Sequence, residues 1–215
     1  MHKINVCCVK EGDKYDSDYV NILYLMTKRY LTIPFDFICL TENPQNLFKQ
    51  IKVVSLEDKS IKGWWNKCLL FKPNFLSGSC LYLDLDMIIL KNIDEFIIQN
   101  QCLNILCNPI SLNKKIYYKI NSSMLFWNTD NKELNKIWFQ YSKHKLFYDN
   151  HKTFGDQEVI LKSNVKYKFF PGSKVRYFKS IYEKEDLDTN ISIIVCKGRK
   201  QKDYKSNFFV KNYWK

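Results

Sequence analysis

The chain has 215 residues, 46% of them hydrophobic and 16% aromatic, enough apolar material for one domain with a substantial core and too much for a disordered chain. Its formal charge of +12 raises nucleic-acid binding, because clustered lysines displace counterions from a phosphate backbone. The lysines are dispersed among many Asn, Ile and Tyr, as in products of AT-rich genomes, and charge so spread serves solubility and attraction of anionic substrates. No apolar run approaches the roughly 20 residues needed to span a bilayer. The opening Met1-His2-Lys3-Ile4-Asn5 turns polar too soon for a secretory leader, so a cytoplasmic site of action is expected.

In chain order, β-branched and aromatic runs predict strands at 4–9, 35–41, 51–56, 81–90, 103–106, 123–127, 167–170 and 191–196. Between the first two, Ser17 is the expected cap of a helix whose apolar face is Tyr19, Ile22, Leu23, Met26 and Tyr30, with Lys28 and Arg29 toward water. Trp64, Lys67, Cys68, Phe71 and Phe75 suggest a second helix, which Pro73 ends near Lys72. A third follows Asp130, paired with Glu133 as in a capping box, and carries Leu134, Ile137, Trp138 and Tyr141; a short fourth follows Gly155. The alternation predicts an α/β fold. No repeat or linker divides residues 1–215, which are read as a single domain. The eight cysteines form neither a CxxC pair nor a zinc-spaced cluster and are read as buried, reduced side chains.

The most informative segment is Leu81-Tyr82-Leu83-Asp84-Leu85-Asp86-Met87-Ile88-Ile89-Leu90, apolar apart from two aspartates. On an extended chain residues two apart share a side, about 6 to 7 Å from one another. Paired carboxylates at a strand end repel, and their burial is costly without a cation. Two accounts meet that need: Mg²⁺ or Mn²⁺ carrying a diphosphate on Asp84 and Asp86, or lysine partners at a solvated rim.

Taken with its neighbours, this segment resembles a family. Asn66-Lys67-Cys68-Leu69-Leu70-Phe71, then Leu81 to Asp86, then Asn92-Ile93-Asp94-Glu95-Phe96 are similar to the donor-binding core of GT-A glycosyltransferases of family 8, the glycogenin and lipopolysaccharide galactosyltransferase type. Gly63-Trp64-Trp65-Asn66-Lys67 is similar to compact bacterial and phage members, and the likeness runs from Val6 into the C-terminal third. The resemblance implies a three-layer α/β/α GT-A fold with a mostly parallel twisted sheet, and transfer of a hexose from a nucleoside diphosphate sugar, a UDP-sugar by analogy, to an acceptor hydroxyl. It implies that the segment with Val9, Gly12 and Tyr15 receives the nucleotide, that Lys67 contacts the donor, and that Asp84 and Asp86 hold the metal, Mn²⁺ or Mg²⁺. Asn121 and the Asp156-Gln157 pair would lie beside the transferred sugar, with Ser123 where the family has glycine. Other accounts remain for single residues: a plain turn at Gly12, a solvated helix lysine at Lys67, a helix cap at Asp156. Trp64 and Trp65 suit a sugar platform, with at least one of them in the core.

The family's closing His-Gly-x-x-Lys-Pro motif is altered. Here Cys196-Lys197-Gly198-Arg199-Lys200-Gln201-Lys202 puts Lys197 where the metal-binding histidine belongs, and the three histidines, His2, His144 and His151, lie elsewhere. Either the two aspartates hold the metal with water and phosphate, or Lys197, with Arg199, Lys200 or Lys202, takes part of the cation's task around the diphosphate, with Gly198 in the same donor-binding segment; a solvated loop of basic residues is the other account. One charge about 4 Å from a phosphate oxygen is worth on the order of 4 kcal/mol at an effective dielectric near 20. The rival functions are a metal-dependent nucleotidyltransferase, a basic nucleic-acid-binding protein, and a transferase that binds donor without reacting.

Overall fold

The computed structural model describes residues 3–98, 100–112, 115–177, 190–196 and 208–215, with side chains described outside 109–118. Strands β1 (Ile4–Lys10), β2 (Phe35–Thr41), β3 (Lys52–Ser55), β4 (Ser79–Leu83), β6 (Leu103–Leu112), β7 (Lys115–Asn128) and β8 (Tyr167–Phe169) form a seven-stranded sheet in the order β3-β2-β1-β4-β7-β6-β8. The β1–β2, β1–β4, β2–β3 and β6–β8 pairs are parallel, and β7 alone runs against its neighbours. A smaller sheet joins β5 (Met87–Ile89), β10 (Ile193–Val195) and β9 (Val175–Tyr177), with β10 in the middle.

Period-two alternation along the strands makes two cores, one on each face of the large sheet. Val6, Cys8, Phe37, Cys39, Leu81 and Leu83 point to one face, where Tyr19, Leu23 and Met26 of helix α1 (Ser17–Tyr30) and all of β5 and β10 cover them. Cys7, Ile38, Leu40, Cys80 and Tyr82 point to the other, against the 3₁₀ helix Gly63–Phe71 and helices α2 (Asn135–Lys143), α3 (Lys145–Asn150) and α4 (Asp156–Lys162). The alternating pattern predicted an α/β fold, and these are the three layers that the family resemblance implied. Helix α5 (Phe208–Tyr213) seats Phe209 and Val210 in the first core. No helix among the described residues is long and apolar enough to cross a membrane.

The structure corrects several expectations. Residues 81–90 are not one strand: β4 ends at Leu83, the chain turns through Leu85 and Asp86, and β5 enters the other sheet. Aspartate is poorly suited to a strand interior, and the ladder to β7 closes with the Asp84 amide donating to the Ser123 carbonyl at 2.8 Å. Helix α1 is capped by Asp16, whose carboxylate accepts from the Asp18 amide at 3.2 Å, and Ser17 is its first residue. The third helical segment is capped by Asn131, which accepts from the Glu133 amide, because the Asp130 amide turns back to the Asn128 side chain at 2.8 Å. Strands β6 and β7 run well beyond 103–106 and 123–127, while α3, β9 and α5 were absent from the expected set.

Candidate functional site

Neighbouring parallel strands end on the same side of a sheet, and the loops that leave them form a crevice there. In this chain β1 delivers Val9, Glu11, Lys14 and Tyr15, and central β4 delivers Tyr82, Asp84, Leu85 and Asp86, to a cavity of about 350 Å³. The 3₁₀ helix closes it with Gly63, Trp64 and Lys67. Gly63, at φ +56°, donates its amide to the Glu11 carboxylate at 3.0 Å, which ties that helix to the loop after β1.

One half of the cavity is built on charge. The Lys67 ammonium lies 2.7 Å from Asp84 Oδ1 and 3.9 Å from Asp156 Oδ2, with the Tyr82 ring 5.2 Å below it. Tyr82 donates its hydroxyl to Asp84 Oδ1 at 2.6 Å. Burial works against the Lys67 charge, but the carboxylates of Asp156 and Asp84 outweigh it and hold the ammonium above the ordinary lysine pKa. Burial pushes the Asp156 carboxyl up against the opposing pull of Lys67 and the Ser122 hydroxyl. Burial and then the Asp84 charge push the Tyr82 phenol up, so it remains a donor. Lys67, its side chain 12% exposed, is thus a largely enclosed, paired cation and not a solvated helix lysine.

The other half is built on rings. Tyr15 donates to Asp86 Oδ2 at 3.3 Å; burial, then the charges of Asp86 and Asp84, raise its pKa. The Cys196 amide donates to the Asp86 carbonyl at 3.1 Å, so β10 brings the chain to Asp86 one residue before Lys197. Burial and the nearby Asp86 move the Cys196 thiol up to about 12.

The remaining expected site residues that the structure describes, Gly12, Asn121, Asp156 and Gln157, lie outside the lining of this cavity. Gly12, at φ +66°, lies in a tight turn with its amide on Glu42 at 2.8 Å, and it lines a second cavity of about 210 Å³ that shares Tyr15 with the first. Asp156 opens α4 from inside the helix, and the cap position belongs to Gly155. Gln157 follows on the first turn, half-buried. Asn121 is buried on β7 with its carboxamide oxygen accepting from the Ser123 amide at 2.9 Å, outside the cavity lining. Lys197, Gly198, Arg199, Lys200 and Lys202 lie outside the described residues. Trp65 is core, stacked on Tyr141 at 5.5 Å, whereas Trp64 is 57% exposed on the cavity rim. Its indole sits 3.2 Å from where a Cβ at Gly155 would be, so glycine there permits the contact. Sequence reasoning missed Tyr82 and Glu11. Tyr82 was legible as the residue two before Asp84, on the same side of the strand.

Hard carboxylate oxygens on one turn suit Mg²⁺ or Mn²⁺, and the rest of such an ion's coordination would come from diphosphate and water. Among the described residues no group of three His, Cys, Asp or Glu side chains could hold a metal by itself.

No protein-family model and no curated protein matches the chain in sequence. In structure it is similar to the galactosyltransferase LgtC in complex with donor and acceptor sugar analogs, with a TM-score of 0.71 and 10% identity over 96% of this chain and 92% of that one. It is also similar to the glycosyltransferase GlyE of Streptococcus pneumoniae TIGR4, with a TM-score of 0.60 and 14% identity over 79% of this chain and 45% of that one. The bifunctional glycosyltransferase WbbM gives a TM-score of 0.62 and 9% identity over 98% and 50%. The chain therefore has the GT-A fold of glycosyltransferases that the sequence resemblance implied.

Proposed function

We propose that this chain is a glycosyltransferase that moves a hexose from a nucleoside diphosphate sugar, a UDP-sugar by resemblance, to an acceptor hydroxyl. The observation that carries the reading is the carboxylate pair Asp84 and Asp86 in a cavity with Lys67 and Tyr15, at the carboxyl ends of β1 and β4 in a GT-A fold. Tyr15 would offer its ring to the nucleotide, with Val9 as apolar wall and Gly12 allowing close backbone approach. A divalent ion on Asp84 and Asp86 would neutralise the leaving diphosphate. Lys67 would orient Asp84 and Asp156 and present one cation to donor oxygens. Asp156, with Gln157 and Asn121 near it in the family pattern, would accept hydrogen bonds from the sugar. Trp64, exposed at the rim, would give the sugar an apolar surface. Rate enhancement in such a site comes from orientation and stabilisation of the leaving group. Lys197, which stands at the family's histidine position in sequence, would supply further positive charge in this proposal.

The deciding experiment measures nucleoside diphosphate release from a panel of UDP-, GDP-, ADP-, CDP- and dTDP-sugars with Mn²⁺, Mg²⁺ or chelator. Turnover of one donor, lost in Asp86→Ala with the fold retained, is expected. Salt-sensitive polyanion binding without turnover of any donor would replace this reading with the nucleic-acid one.

A further inference from the structure

Tyr15 stands where the two cavities meet, and its position depends on groups far from it in sequence. It precedes α1, and its ring packs on that of Tyr19, one helical turn on, with centroids 4.8 Å apart at 55°. Tyr19 is 1% exposed, and its ring also meets that of Trp214, 4.9 Å away at 56°. Trp214 is in turn fixed by its own amide, which donates to the Val210 carbonyl at 3.2 Å, while Arg29 of α1 reaches the Lys215 carbonyl at 3.2 Å. Phe209 and Val210 anchor α5 in the core beneath. Three tilted rings therefore run from α5 to the hydroxyl that meets Asp86.

We infer that Trp214 is a positioning residue for the nucleotide-binding half of the cavity, acting through Tyr19 on Tyr15. Tilted aromatic contacts restrict both partners to a narrow range of χ angles. Without the indole, Tyr19 gains room to turn, Tyr15 loses the surface that sets its ring, and the Tyr15 hydroxyl leaves Asp86 part of the time. Ligand then has to order the ring on binding, so affinity falls, while the reacting groups around Lys67 and Asp156, on the opposite face of the sheet, keep their geometry. This inference rests on the proposed function in taking the Tyr15 and Asp86 half as the nucleotide site.

The test is calorimetric titration of the full chain with UDP, GDP, ADP, CDP and dTDP in Mn²⁺, followed by donor kinetics with the sugar that is turned over. Trp214→Ala is expected to weaken nucleotide binding about three- to tenfold, the equivalent of one aromatic pair, and to raise KM with kcat little changed. Trp214→Phe should restore most of the affinity, and Trp214→Leu, which keeps apolar bulk should the alanine variant not fold, should restore stability but not affinity. Val210→Ala, a cavity in the helix that leads into Trp214, should lower Tm without touching affinity. In a Tyr19→Ala background, Trp214→Ala should add no further loss. Wild type that binds nucleotide while Trp214→Ala or Trp214→Leu binds it equally well overturns this inference and leaves the proposed function standing, as does an equal loss in Val210→Ala or a fully additive double variant. Wild type that binds none of the five overturns both.

Discussion

Asp84 and Asp86 are two residues apart on one turn, yet their surroundings differ in kind. Asp84 shares a largely enclosed ammonium with Asp156 and takes a phenol hydroxyl, so its half of the cavity is an electrostatic unit in which each charge depends on the others. Asp86 meets a phenol held by ring packing, and the backbone beside it is held by β10. Removing a piece of the first half strands a charge, which threatens the fold. Removing a ring from the second loosens a neutral wall, which threatens binding more than the fold. Stability and function should therefore separate between the two.

The sharpest break is Lys67→Ala. The Lys67 side chain is only 12% exposed and Asp84 22%, so two carboxylates would be left without their shared cation in a poorly solvated place. Breaking one side of a buried ion pair costs about 3 to 5 kcal/mol. We expect urea denaturation to show a loss toward the lower end of that range, along with loss of turnover. The raised pKa of Lys67 makes its contribution complete below the ordinary lysine value of 10.5 and lost only in strong alkali, so the effect should be constant across neutral pH. Asp86→Ala is the counterpart: activity falls by about a hundredfold or more, the scale of losing one electrostatic group in a transition state, with Tm changed little. Equal destabilisation by both variants would refute the division.

Asp156 sharpens the comparison through pH. Its folded pKa lies above 3.8, chiefly because of burial. Between 3.8 and that higher value the folded chain keeps a proton that the unfolded chain has released. This group's contribution to stability is thus greatest below that interval and falls as pH rises through it. Activity, which needs the carboxylate, should do the opposite and decline on acidification at a pH above the ordinary aspartate value. Measuring kcat/KM against pH in wild type and Asp156→Asn checks it: the variant should be slow and should lack that acid limb.

Much of this arrangement was legible in the chain. The strands at 35–41 and 4–9 declared themselves because β-branched and aromatic residues fill both faces of a buried parallel strand. The acidic pair was visible for the reverse reason, as polar residues where only apolar ones are tolerated. What was hidden is the break between β4 and β5: an apolar run on both sides of Asp84-Leu85-Asp86 reads as one strand, and only the partner strands β7 and β10, remote in sequence, show two sheets. The pairing of Lys67 with Asp84 and Asp156 was hidden likewise. It depends on the 3₁₀ helix and α4 packing on one face of β4, and local periodicity carries no information about such contacts.

The smallest change tests the ring-built half at one atom. Tyr15→Phe removes the hydroxyl that donates to Asp86 Oδ2 at 3.3 Å and keeps the ring against Tyr19. A net hydrogen bond is worth about 0.5 to 1.5 kcal/mol, and at this length the lower end applies, about a two- to threefold loss in nucleotide affinity. Stability should fall less than in Lys67→Ala, because the hydroxyl removed is neutral and its bond to Asp86 is long. If the ring is what the nucleotide needs, Tyr15→Leu must cost clearly more than Tyr15→Phe in the same titration. Equal losses would place the whole contribution of Tyr15 in its hydroxyl and would remove the reason for three rings to hold it.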